Sequence, residues 1–157
     1  MTSKVYVALR VRATPERAFQ AFTEEIGAWW RPSDLFQTTP RPGRLSFEAP
    51  DTDGHDGRLI ETREGGKVFE IGKVTAWDPP RQLAFSWRQA NFPLDLHTEV
   101  EVKFEAVGEE TRVSVEHRGF ERAPAGAARH GFPDQVLLMR LADFWRAQLA
   151  AIGETVA

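Results

Sequence analysis

The sequence contains no cysteine, which excludes disulfide scaffolding, thiolate nucleophiles and cysteine-ligated zinc or iron–sulfur centres. A strong charge bias is also missing: 20 Lys+Arg against 23 Asp+Glu leave a net charge of −3. The positive field that a phosphate backbone demands is therefore absent, and nucleic acid is not an expected partner. No window reaches the roughly 18 uninterrupted apolar residues of a membrane span. Met1 to Val11 has no basic stretch leading into an apolar run, so neither membrane insertion nor secretion is expected and the protein reads as cytoplasmic. No glycine-rich loop leads from a strand into a helix, and no serine occupies a nucleophile elbow, which disfavours nucleotide-dependent chemistry and serine hydrolysis. No cofactor is expected.

What is present suits one domain spanning 1–157. The 157 residues are 41% hydrophobic and 27% charged, with 11 Phe and 5 Trp, enough apolar volume for a substantial core. Val5, Val7, Leu9 and Val11 alternate with Tyr6, Ala8, Arg10 and Arg12, a period of two that predicts an opening strand. Thr14-Pro15-Glu16 then offers a capping hydroxyl, a proline for the first helical position and an early carboxylate, so a helix should follow and bury Ala18, Phe19, Ala21 and Phe22. A short second helical turn through Glu25, Ile26 and Trp29 is stopped by Pro32, and the proline-rich stretch to Pro42 reads as loop.

Six further strands are expected over Arg44–Ala49, Arg58–Glu64, Lys67–Trp77, Gln82–Arg88, His97–Ala106 and Thr111–Arg118. Gly65-Gly66 suits a two-residue hairpin. Asp51 to Asp56 reads as an acidic turn, because Thr62 stands where a calcium loop needs a bidentate Glu. In the last strand Arg112, Ser114 and Glu116 should face water, opposite Val113, Val115 and His117. A final helix is predicted from about Asp134 to Ile152 and ended by Gly153, with Arg140, Asp143, Arg146 and Gln148 as its polar interruptions. At roughly 28 Å it is long enough to cover a curved sheet. The resulting fold class is α+β: a helix grip, in which a curved antiparallel seven-stranded sheet wraps around a long C-terminal helix, with two short helices after the first strand.

Three separated motifs then fit a known pattern. They are Val11-x-Ala13-x-Pro15-Glu16-x-x-Phe19-x-Ala21-Phe22 leading to Trp29-Trp30, Gly72-x-Val74 with Asp78-Pro79-Pro80-x-x-Leu83-x-Phe85-x-Trp87, and Glu116-His117-x-Gly119-Phe120. Together they resemble the activator of heat-shock protein 90 ATPase homologue family, within the START-like, birch-pollen-allergen-like helix-grip (SRPBCC) superfamily. The likeness runs from about Val5 to Ile152, with His130-Gly131-Phe132 where members commonly show Gly-Trp before the last helix. The resemblance implies the helix-grip fold. It further implies that single-domain relatives are general binders of hydrophobic ligands, while other branches of the superfamily are polyketide cyclases. The family takes its name from a co-chaperone with an additional N-terminal domain, for which this chain is expected to have no room. No shared catalytic motif comes with it.

A curved sheet closed by a helix leaves a concave volume that suits small apolar molecules. Trp87, Trp145, His117, Phe47, Phe85, Phe132 and Leu141 are the candidate ligand-binding residues, since aromatic rings give large contact area at low rotamer entropy. His117 is either a hydrogen-bonding or acid–base group toward a ligand or a core histidine satisfied by its neighbours. His97, at a strand start, reads as exposed. Trp29, Trp30, Trp77 and Phe36 serve core or pocket. Arg63 and Arg88 offer guanidinium forks for a carboxylate, or are surface charges. Glu99, Glu101, Lys103, Arg112 and Glu116 read as cross-strand surface pairs, and no metal site is expected.

The leading expectation is a binding protein for a small hydrophobic or aromatic ligand held between sheet and final helix, rather than an enzyme. One alternative is a co-chaperone-like interaction module, with a chaperone or other protein meeting an exposed patch of Trp29, Trp30 and Phe36. Another is a cyclase or dehydratase-like enzyme in which His117 and a pocket carboxylate such as Glu61 exchange protons with an enolisable substrate.

Overall fold

The computed structural model describes residues 3–33, 36, 43–51, 56–123 and 131–157. Along the chain run β1 (Lys4–Val11), α1 (Pro15–Glu24), α2 (Ile26–Trp29), β2 (Arg44–Glu48), β3 (Arg58–Thr62) and β4 (Val68–Asp78). They are followed by β5 (Gln82–Trp87), β6 (Thr98–Val107), β7 (Glu110–Arg118), a 3-10 turn (Phe120–Arg122) and α3 (Asp134–Val156). The strands form one antiparallel sheet in the order β1-β7-β6-β5-β4-β3-β2. The first strand pairs with the last, from Lys4 opposite Arg118 to Val11 opposite Thr111. This is the seven-stranded α+β arrangement that the residue pattern predicts, with its two short helices after β1.

Local chemistry starts the helices where expected. The Thr14 hydroxyl accepts from the Arg17 N–H at 3.2 Å, and Pro15 opens α1. The buried stripe of α1 lies on the sheet, with Phe19 edge-on to Trp77 and Phe104 at centroid distances of 5.3 and 5.2 Å. α2 is tied to α1 by the Trp29 indole N–H, which donates to the Ala21 carbonyl at 2.7 Å. The sheet bends at pairing irregularities between β3 and β4 and between β4 and β5. Gly72 makes the close approach there possible, because a Cβ would stand 1.6 Å from the Ser86 carbonyl oxygen. α3 buries Leu137, Leu141, Trp145, Gln148, Leu149 and Ile152, one stripe at helical spacing, and packs on β1 and α1.

Four details differ from the sequence reading. α3 runs past Gly153 to Val156. A Cβ at Gly153 would only touch Val11 at 3.7 Å, and packing on β1 outweighs the modest helical cost of one glycine, about 1 kcal/mol. The β3–β4 hairpin has a three-residue loop, Glu64-Gly65-Gly66, closed by the Arg63 N–H donating to the Lys67 carbonyl at 2.8 Å. Ser114 is buried although it lies on the outer face, because it sits mid-sheet between Ala8 of β1 and Lys103 of β6. The 3-10 turn after β7 carried no distinct pattern in the sequence.

The outer face is laced by ion pairs such as Arg122–Glu99 at 2.5 Å, Arg118–Glu116 at 2.9 Å and Arg112–Glu105 at 3.8 Å, each exposed enough to add at most about 1 kcal/mol. Lys103 meets Glu101 on its own strand, at 3.9 Å. Among the described residues no helix is long and apolar enough to cross a membrane.

Candidate functional site

β5, β6, β7 and α3 bring Trp87, Thr98, His117 and Trp145 together, all of them 0% exposed. The Trp145 indole nitrogen lies 3.1 Å from His117 Nδ1. An indole N–H can only donate, so Nδ1 is the acceptor and the neutral imidazole carries its proton on Nε2. Nε2–H then donates to the Thr98 hydroxyl at 2.7 Å, and that hydroxyl donates to the Trp87 carbonyl at 3.2 Å. The Trp87 indole N–H is in turn taken by the Gln89 side-chain oxygen at 3.1 Å. Burial alone pushes the His117 pKa down to about 3, since desolvation penalises the charged ring. Each ring nitrogen has its protein partner, and no lone pair is left to take a substrate proton.

Around this chain of bonds the aromatic rings form a continuous cluster. Trp87 and Trp145 stand 6.1 Å apart, and Phe144 lies 5.3 Å from Trp145. Trp30 touches four rings, those of Trp29, Trp87, Phe144 and Trp145, at 5.9, 5.7, 5.6 and 5.9 Å. It is partly exposed, while the four rings around it are buried. Through Trp29 and Phe22 the rings continue to Phe47, which meets Phe85 at 5.3 Å and Trp77 at 6.4 Å. Leu141 is buried on α3, and Phe132 packs half-buried against the core.

Other candidates are engaged elsewhere or lie apart. The Arg88 guanidinium donates to the carbonyls of Phe92, Pro93 and Leu94 at 3.2, 2.9 and 2.8 Å, so it clamps the β5–β6 loop. Arg63 lies over the Phe69 ring at 4.2 Å, with its Nε buried and without a hydrogen-bond partner among the described residues. His97 is exposed beside Glu99. Glu61, 1% exposed, accepts from the Gly43 N–H at 3.0 Å. It sits on β3, four strands from His117 in the sheet order, which is roughly 19 Å along the sheet at the usual strand spacing. With both His117 ring nitrogens bonded to protein and Glu61 bonded to Gly43, proton exchange by both groups at one substrate carbon has no support in the hydrogen bonds.

Of the exposed aromatic patch expected at the second helix only Trp30 is partly exposed; Trp29 and Phe36 are 2% and 3% exposed. Both rings turn inward onto the cluster, because α2 is bonded to α1 and Phe36 packs on Phe144 at 5.2 Å. Positions 52–55 of the acidic turn lie outside the described residues. Among the described residues no group of three or more acidic or histidine side chains could hold a metal ion.

Sequence reasoning missed Gln148, treated as a polar interruption. It is 1% exposed, its amide donating to the Arg31 carbonyl at 2.6 Å and accepting from the Arg31 N–H at 2.9 Å. Its place on the apolar stripe of α3 was the available signal. Thr98 gave none, since its role depends on strand register.

A family model described as activator of Hsp90 ATPase homolog 1-like protein matches residues 12–144. The chain belongs to that family. Among solved structures, this Hsp90-activator-homolog-like chain is similar to CalU16 from Micromonospora echinospora, at 16% identity and a TM-score of 0.60 over 98% of this chain and 73% of that one. Protein MLL2253 from Mesorhizobium loti is similar at 19% identity and a TM-score of 0.61, covering 96% and 94%. SA2116 from Staphylococcus aureus, a protein of unknown function, follows at 14% identity and a TM-score of 0.63, covering 99% and 94%. At such identities the likeness is one of fold. No curated protein sequence matches this member of the family.

Proposed function

We propose that the protein binds a small hydrophobic or aromatic molecule between the sheet and α3. Trp87, Trp145 and His117 form the floor of this site, Leu141 and Phe132 its helix side, and Phe47 and Phe85 its far end. Trp30 carries the reading: a large ring set among four buried rings and yet partly exposed. A flat apolar ligand that displaces the Trp30 side chain replaces ring contacts with ring contacts, and its own removal from water offsets the further exposure of a ring that is already partly exposed. The backbone next door stays in place, because Gln148 holds Arg31 by two hydrogen bonds. His117 then acts as a fixed neutral surface, not as a proton carrier.

The test compares native and denaturing mass spectra of the gently purified protein, and follows the five indole N–H signals by NMR against a library of small aromatic compounds. Expected are a mass lost on denaturation and displaced signals from Trp30, Trp87 and Trp145. A bare mass together with unmoved indole signals across the library would sink the proposal. A co-chaperone-like protein contact lacks a comparable support, because two of the three rings of the patch it needs, Trp29 and Phe36, are buried.

A further inference from the structure

A concavity lies at the edge of the aromatic cluster, between α3 and the segment that follows α2. It is a cleft of ≈ 290 Å³ whose lining includes Arg31, Phe36, Arg140, Asp143, Phe144 and Gln148. Phe36 and Phe144, 3% and 8% exposed, form its apolar floor. Two guanidinium groups stand over this floor. Arg140 makes no hydrogen bond or ion pair among the described residues. Arg31 meets only Glu154, at 3.4 Å, in a pair whose side chains are 60% and 73% exposed, and such a pair is weak and easily exchanged. Among the described residues of the lining Asp143 is the one carboxylate, and Arg146 holds it at 3.0 Å. Among the described residues the cleft thus presents an apolar base, one unpaired guanidinium group at Arg140 and a weakly paired one at Arg31.

We infer that this cleft binds a small organic carboxylate with an aromatic body, its carboxylate held by Arg140 and Arg31 and its ring laid on Phe36 and Phe144. The volume suits the occupant: a cavity of roughly 150 Å³ already admits benzene, and ≈ 290 Å³ leaves room for a fused ring bearing a carboxylate. A guanidinium fork matches a carboxylate in two parallel hydrogen bonds. The backbone of the wall is set before the ligand arrives, because both polar groups of the Gln148 amide are occupied by the Arg31 backbone, so the ordering cost of binding falls on the two arginine side chains. Selectivity then rests on charge, which separates acids from neutral analogues of the same shape. The inference stands apart from the interior site, with which it shares Phe144 and the Gln148–Arg31 clip.

The experiment titrates the full chain with 2-naphthoate and with neutral 2-naphthamide. Backbone amides of Ser33, Arg140 and Ala147, the arginine Nε–H signals and the indole signals are followed by NMR. Expected are saturable shifts at the cleft residues with naphthoate, at least tenfold weaker binding of the amide, and at least tenfold weaker naphthoate binding by Arg140→Gln. Arg140 is exposed, so that variant keeps its fold, and Arg31→Gln provides a second, independent loss of charge. The inference is overturned if naphthoate leaves the cleft signals unmoved, or if amide and acid bind alike. It is equally overturned if shifts are confined to the indoles of Trp87 and Trp145, a result that would support the interior site instead.

Discussion

Acid is the most direct perturbation of the network around His117. In the folded chain burial depresses the imidazole pKa to about 3, while unfolding returns it to 6.5. The folded value is the lower one, so between the two the unfolded state holds a proton that the folded state does not. Stability from this group is therefore complete above about pH 6.5 and is lost as pH falls toward 3. One proton of difference changes the folding constant tenfold per pH unit, which amounts to about 3 kcal/mol between pH 7 and pH 4. A domain has roughly 5–15 kcal/mol in total. Among the described residues no charged side chain softens the effect, since the ring meets Thr98 on β6, Trp87 on β5, Trp145 on α3 and Phe120 in the 3-10 turn.

Carboxylates add to acid sensitivity, among them Glu25, held below its ordinary value by its hydrogen bonds with Arg17. The clean quantity is accordingly a difference between two proteins. Urea unfolding at pH 7 and pH 4 should show the wild type losing about 3 kcal/mol more than His117→Gln, which has no titrating ring. Long-range nitrogen NMR of the wild type supplies the same answer without a variant: Nε2 should remain the only protonated ring nitrogen down to pH 4. Equal acid sensitivity of the two proteins, or a ring that titrates at its ordinary 6.5, would refute the reasoning.

Gly72→Ala forces a Cβ against the Ser86 carbonyl and should cost at least about 2 kcal/mol in urea unfolding. Gly65→Ala, at a φ of +89° with nothing within 4 Å, should cost only about 1 kcal/mol of backbone strain. A reversed order would show that the β4–β5 approach is soft. Gln148→Ala leaves the Arg31 N–H and carbonyl without their partner and should destabilise by about 2 kcal/mol. Hydrogen exchange should quicken at the Arg31 amide before it does in the sheet, and an unchanged Arg31 rate would show that water replaces the clip.

The fold was legible because periodicity and punctuation agreed at every level. Thr14-Pro15 marked α1, alternation marked β6 and β7, and the apolar stripe from Leu137 to Ile152 marked α3. Gly153 misled because a C-cap signal is local, whereas contact of α3 with β1 decides where the helix ends. The candidate site was readable only in part. Sequence put Trp87, Trp145 and His117 near one another, but which hydrogen bonds they make depends on the register that sets Val100 opposite His117 and Thr98 opposite Trp87. Register across three strands is a tertiary quantity, and one alternating pattern cannot fix it. The cleft beside α3 was invisible for the same reason: Arg31 is brought to Arg140 of α3 by the Gln148 clip and Phe36 by its contact with Phe144, both of them tertiary.

The buried polar groups of this fold constrain what the interior can do. His117, Thr98, Gln89 and Gln148 are each nearly inaccessible, and each is bonded to a backbone group or a neighbouring side chain. Leaving any of them unpaired costs about 1–3 kcal/mol, so a ligand that competes for one of them must first meet that cost. Recognition inside the grip therefore favours molecules that demand no hydrogen bond from it, chosen by ring shape against Trp30, Trp87 and Trp145. Charge recognition is left to the periphery, where Arg140 is unpaired among the described residues and Arg31 only loosely paired. The two proposals, an apolar ligand inside and an acid at the helix edge, thus follow from one allocation, in which the interior hydrogen bonds hold the fold and the exposed guanidinium groups stay available.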